Sequence, residues 1–182
     1  TITINPRPER PQAVSIQLIT TEEAYWASRP GVIRTPLGNK LKLFKPKDEV
    51  FSMGAPRREP GRRANEAEKR IQLQRPFYFA ITETSNKEYR QWKSEHNSSS
   101  IRGLSLDLND QPVANIAWQD AALFCNWLSE KENLPKFYNV LGDRVTSINW
   151  DSNGYRLPTE SEWSWVCLLY TSPGPRDITP SR

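Results

Sequence analysis

Apolar positions along the chain recur with two periods. Ile71, Leu73, Phe77, Phe79 and Ile81 alternate around Arg75-Pro76, which predicts two short strands meeting at a bend, since successive strand side chains point to opposite faces. Upstream, Val32-Ile33-Arg34-Thr35 and Leu41-Lys42-Leu43-Phe44 flank Leu37-Gly38-Asn39-Lys40, a hairpin pattern in which the glycine supplies positive φ. Val50-Phe51-Ser52-Met53-Gly54 follows the polar turn Lys47-Asp48-Glu49, and Val14 to Ile19 reads as one further strand. Pro6, Pro8, Pro11 and Pro30 are expected to break any regular element in the first thirty residues. The charged stretch from Ala55 to Ala67 has no apolar period and reads as a long surface loop.

The helical period is clearest at Ala121, Phe124, Cys125 and Leu128, predicting a helix from near Trp118 to about Lys131. Pro135 prevents its continuation. Tyr89 and Trp92 mark one face of a shorter helix capped by Ser85 or Asn86 and ended by Asn97-Ser98-Ser99-Ser100. A polar loop containing Asp107, Asn109 and Asp110 then leads to Pro112-Val113. Tyr155-Arg156-Leu157 reads as a strand running into a second cap. There Thr159 and Glu162 stand at capping-box spacing, so each can satisfy an orphan backbone N–H of the other. That last helix is expected to be cut after about two turns, leaving Trp163 and Trp165 short of cover.

Composition places these elements in a globular chain. Of 182 residues, 36% are hydrophobic, and seven Trp, six Tyr and six Phe exclude a disordered composition. Length suits one domain with a core, and no apolar run approaches the roughly 20 residues of a membrane span. Net charge is +4. The basic residues Arg57, Arg58, Arg62, Arg63, Lys69, Arg70 and Arg75 are interleaved with Glu59, Glu66 and Glu68, a mixed-sign solvated loop and not a nucleic-acid footprint. The first residue is Thr1, not Met, so the front is expected to be incomplete and the missing leader says nothing of export.

Candidate chemistry is sparse. Cys125 and Cys167 form no CxxC and no Cys/His pairing. Cys125 falls on the apolar stripe and reads as a small buried residue. His96 lies in Ser94-Glu95-His96-Asn97-Ser98 with no second ligand or base nearby, and is expected to be exposed.

Several fragments in order resemble the formylglycine-generating-enzyme (sulfatase-modifying-factor) family. They are Phe51-Ser52-Met53-Gly54, Arg62-Arg63-Ala64-Asn65-Glu66, Arg75-Pro76-Phe77-Tyr78, Glu83-Thr84-Ser85-Asn86 with Tyr89, and Gln111-Pro112-Val113. Ala117-Trp118-Gln119-Asp120-Ala121, Cys125-Asn126-Trp127-Leu128-Ser129 and Gly154-Tyr155-Arg156-Leu157-Pro158-Thr159-Glu160 with Glu162-Trp163 complete the set. The segment from Arg57 to Glu66 resembles a bacterial subgroup. Thr84-Ser85 stands where Val-Thr is usual, and Ile116-Ala117 where Val-Ser is usual. The resemblance singles out Asn86, Trp118, Asp120, Arg156, Thr159, Glu162 and Trp163 as a structural signature.

The resemblance implies an α+β, C-type-lectin-like formylglycine-generating-enzyme fold, incomplete and with little regular secondary structure. The family's enzymes oxidise a sulfatase cysteine to formylglycine with dioxygen and a copper ion held by two thiolates, and intact members also hold calcium. The resemblance places those ligands after the Arg156-to-Glu160 segment, so it assigns no catalytic, cofactor or metal residue here. Cys125 takes the family's helix position.

The expected organisation is an upstream linker or the end of a preceding module over 1–40, and the N-terminal part of the family domain over 41–166. Residues 167–182 read as a non-family tail. Cys167-Leu168-Leu169-Tyr170-Thr171-Ser172 resembles the translation of a transposon end used in sequencing libraries, so the tail is expected to be translated adapter, the alternative being an ordinary Pro-rich disordered tail. The function expected is that of an inactive fragment of an oxidoreductase-like protein acting on a sulfatase, or on another protein or peptide. The alternative is a non-catalytic binding module of the same fold. A sulfur-oxidising iron enzyme of this fold would need a histidine-rich site, which His96 alone does not supply. Export to the periplasm or cell surface follows from the resemblance alone.

Overall fold

The computed structural model describes residues 21–46, 50–54, 57–58, 60–61 and 67–171. It has two units, divided after Pro30. In the first, α1 spans Thr21–Ala27. A helix was not expected between Pro11 and Pro30. It forms because that interval holds no proline, and Glu22 and Glu23 occupy the first turn, where the helix dipole favours acidic groups. The expected strand at Val14 to Ile19 lies outside the described residues.

The second unit begins with the hairpin of β1 (Val32–Arg34) and β2 (Lys40–Phe44). Gly38 turns the chain at φ +91, and Gly38 N donates to Thr35 O at 2.9 Å. β3 (Val50–Met53) pairs with β4 (Lys69–Gln72), and β5 (Phe77–Ala80) pairs with β2. The two strands expected around Arg75-Pro76 therefore exist but belong to different sheets. The larger sheet has the antiparallel order β1-β2-β5. Most of the charged Ala55–Ala67 stretch lies outside the described residues.

Helix α2 is the single turn Asn86–Tyr89. Two hairpins had no counterpart in the periodicity: β6 (Ser100–Ile101) with β7 (Leu104–Ser105), and β8 (Tyr138–Leu141) with β9 (Arg144–Ile148). Helix α3 runs Trp118–Lys131, as the apolar stripe predicted. Asn133, at φ +56, ends it. Leu134 N donates to Ser129 O at 2.8 Å and Asn133 N to Glu130 O at 3.2 Å, the double bond of a Schellman cap.

Helix α4 spans Glu160–Thr171, longer than the two turns expected, because no breaker occurs before Pro173. Residues 172–182 lie outside the described residues. Trp165 is buried and not short of cover: it packs edge-on against Phe44 and Phe77, with ring centroids 6.0 and 6.2 Å away. Phe44, Trp165 and Val166 form the core between α4 and the sheets. A second core joins Tyr89, Phe124 and Leu128, and a third joins Ala122, Cys125, Phe137 and Tyr138. Tyr155 packs against both of the last two, so the segment that carries it ties α3 to the β8–β9 hairpin.

Candidate functional site

The densest polar structure lies where the chain enters α4. Arg156 donates from its two terminal nitrogens to the two oxygens of Glu162, at 2.7 and 2.5 Å. The remaining carboxylate capacity serves the helix cap: Thr159 N donates to Glu162 Oε2 at 2.9 Å, and Glu162 N donates to Thr159 Oγ1 at 3.2 Å. The capping box read from spacing is thus present, with an arginine added. Glu162 is 9% exposed. Burial pushes its carboxyl up, but the hydrogen bonds from Arg156 and Thr159 and the arginine charge outweigh it and hold it below the usual value. The Glu162 hydrogen bond in turn raises Arg156, which also lies over the Phe137 ring at 5.5 Å.

Tyr155-Arg156-Leu157 is not a strand. Its backbone donors go to side chains and not to a ladder: Tyr155 N to Ser129 Oγ at 2.8 Å, and Leu157 N to the Tyr138 hydroxyl at 3.1 Å. Ser129 and Asn126 are buried polar residues on α3 that apolar periodicity passes over. Asn126 exchanges bonds with the Tyr138 backbone at 2.7 and 3.1 Å, fixing the start of β8. Their one sequence signal is a pair of short polar residues three apart on the buried face of a helix.

Cys125 sits among these groups. It is buried in the cluster with Ala122, Phe137 and Tyr138. Burial pushes its thiol up to about 12, against the lowering effect of Arg156, so it stays protonated at neutral pH.

A second polar node surrounds Asn86, which is fully buried. Its amide donates to Leu106 O and Leu108 O, both at 2.8 Å, and its carbonyl accepts from Ser98 Oγ at 2.5 Å. Arg90 pairs with Asp107 at 2.5 Å, and Ser98 N donates to Asp107 Oδ1 at 2.6 Å. His96 belongs to this node and is half-buried, not exposed. Its Nε2 lies 3.0 Å from Ala114 O, and its ring meets Tyr89 edge-on at 4.8 Å. The sequence missed this because Ala114 is brought in from a segment remote in the chain, and the nearer Tyr89 and Ser98 are joined to His96 only by the way the chain turns after α2.

The other signature residues stand apart. Trp118 is 58% exposed with its ring edge-on to Tyr138, Asp120 pairs with Lys93 at 2.6 Å, and Trp163 is 56% exposed. Arg156, Thr159 and Glu162 thus form one unit, and Asn86 anchors another. Beside the first unit lies an open groove of about 400 Å³, lined by Ile71 to Arg75 with Thr159, Ser161 and Glu162. Among the described residues, no group of three His, Cys, Asp or Glu side chains gathers as a metal site, and no helix is long and apolar enough to cross a membrane. Both polar nodes spend the hydrogen bonds described above on other groups of the chain.

Comparisons with known proteins bear on the family and the fold. The model of the sulfatase-modifying factor enzyme 1-like domain matches residues 28–168. A chaperone protein LppX of Paenibacillus barcinonensis is 31% identical over 106 residues, which cover 50% of this chain and 35% of that protein. The chain thus spans about a third of that relative's length. The solved structure of Treponema denticola variable protein 1 superimposes with a TM-score of 0.58 at 21% identity, over 77% of this chain and 57% of that one. PvdO from Pseudomonas aeruginosa gives 0.45 at 19% identity, over 58% of this chain and 46% of that one.

Proposed function

The chain belongs to the sulfatase-modifying factor enzyme 1-like domain family, and we propose that it provides the scaffold of a formylglycine-generating protein without performing oxidation itself. In the whole protein, a sulfatase cysteine would be oxidised to formylglycine by groups outside the described residues. The observation that carries this is the position of Cys125. Copper oxidation of a thiol needs soft thiolate ligands open to substrate. Cys125 does not fit that role: it is buried, flanked by aromatic rings, and held as a neutral thiol by a pKa of about 12.

The test is direct. Purified chain 1–182, incubated with copper and a sulfatase-derived cysteine peptide under air, should yield no aldehyde, whereas the full-length protein should. Aldehyde from the chain alone overturns the scaffold reading, and none from the full-length protein overturns the oxidase assignment.

A second reading is favoured by the relative named a chaperone: a non-catalytic module that binds a protein or peptide. Saturable binding of the peptide to full-length protein, with no conversion on addition of copper, would select it.

A further inference from the structure

The segment that delivers Arg156 to Glu162 contains Asn153-Gly154. Asn153 is exposed, but Gly154 is wedged. A Cβ at residue 154 would lie 2.1 Å from Pro135 O and 2.7 Å from Ser129 Oγ, so only glycine fits. The fold therefore keeps after Asn153 the residue whose unhindered backbone nitrogen best attacks an asparagine side chain. We propose that Asn153 is a site of spontaneous succinimide formation and deamidation, held in check by the packing of Gly154.

The chemistry needs only water. The Gly154 backbone nitrogen attacks the Asn153 side-chain carbonyl carbon, a C–N bond forms, and the side-chain nitrogen leaves as ammonia with the Gly154 proton. Water then opens the ring at either carbonyl, giving aspartate or isoaspartate.

Native packing opposes the first step. Gly154 N–H is held by Ser152 Oγ at 3.0 Å, and Ser152 Oγ donates to Pro135 O at 2.6 Å. The next amide, Tyr155 N, is fixed on Ser129 Oγ at 2.8 Å. Ring closure requires Gly154 N to leave Ser152 Oγ, so it proceeds from a locally opened segment. Isoaspartate then lengthens the main chain at residue 153 by a methylene, directly before a glycine whose contacts leave no room for a Cβ.

The experiment follows the full chain 1–182 in neutral buffer, with and without urea, by peptide mass and enzymatic isoaspartate methylation. Deamidation at Asn153 is expected in both, about tenfold or more slower in the native chain. Equal rates overturn the gate, and an unmodified Asn153 in the unfolded chain overturns the site. Ser152→Ala should raise the native rate and leave the rate in urea unchanged; an unchanged native rate also overturns the gate. Signal that persists in Asn153→Gln assigns the chemistry elsewhere and overturns the proposal.

Discussion

Arg156 and Glu162 meet as a two-pronged ion pair across the first turn of α4, with side chains only 24% and 11% exposed. The pair links the segment that follows β9 to the helix that closes the Phe44–Trp165 core. Removing one partner leaves the other's charge buried and uncompensated, the costly case for a buried pair. Glu162→Gln and Arg156→Met are each expected to lose about 3 kcal/mol in urea unfolding. The double variant Arg156→Met with Glu162→Gln should lose less than the sum, since neither charge is then stranded. Additive losses would show that the two residues act independently.

The same pair sets an acid limb. The folded Glu162 carboxyl lies below its ordinary value of 4.5, so the folded state keeps the charge to lower pH than the unfolded chain does. Its contribution is complete above about that ordinary value and is lost as pH falls further. Stability of the native chain should therefore drop more steeply below pH 4.5 than that of Glu162→Gln, measured as urea midpoints across the acid range. Parallel curves would remove Glu162 from the acid response.

Tyr89 offers the opposite case. Its ring is 1% exposed and packs on Trp92, His96 and Phe124, but its hydroxyl has no hydrogen-bond partner among the described residues. Burial, then the charge of Asp120, raises the phenol to about 12. A buried unsatisfied hydroxyl costs about 1–3 kcal/mol, so Tyr89→Phe is expected to leave stability unchanged or raise it. A loss above about 1 kcal/mol would reveal a hydrogen bond to an ordered water.

What the sequence disclosed followed from how each element is stabilised. Helix α3 was legible because its burial is a continuous stripe, and the Thr159–Glu162 cap because two residue types at fixed spacing make it. The β8–β9 hairpin was not, since most of its residues are exposed and alternation is weak. The β6–β7 hairpin has two residues per strand and turns on Arg102 and Gly103, both at positive φ, of which the arginine gives no sequence signal. Asn86, Ser98, Asn126 and Ser129 were illegible as buried residues for a different reason. Their burial depends on partners brought from elsewhere in the chain, which hydropathy does not report.

Gly154 tests that dependence on remote partners. Its missing side chain is demanded by Pro135 and Ser129, and not by any turn of its own, since a Cβ would meet a backbone oxygen at 2.1 Å. Backbone cannot swing aside as a flexible side chain can. Gly154→Ala should therefore cost about 1–3 kcal/mol and break the Tyr155 N to Ser129 bond, visible as faster amide exchange at Tyr155. Unchanged stability and exchange would mean that the 135–154 contact is loose.

Cys125 gives a prediction bearing on function. Its thiol is buried and raised to about 12, so the thiolate that reacts with alkylating agents or binds a soft metal is nearly absent at pH 8. Iodoacetamide should leave Cys125 unmodified in the native chain, located by peptide mass, and label it fully in denaturant. The native labelling rate should follow global unfolding, slowing with added stabiliser and quickening in Glu162→Gln. Rapid labelling of Cys125 in the native chain would place its sulfur in reach of solvent. It would also remove the observation behind the proposal that this chain is a scaffold and not the seat of thiol oxidation.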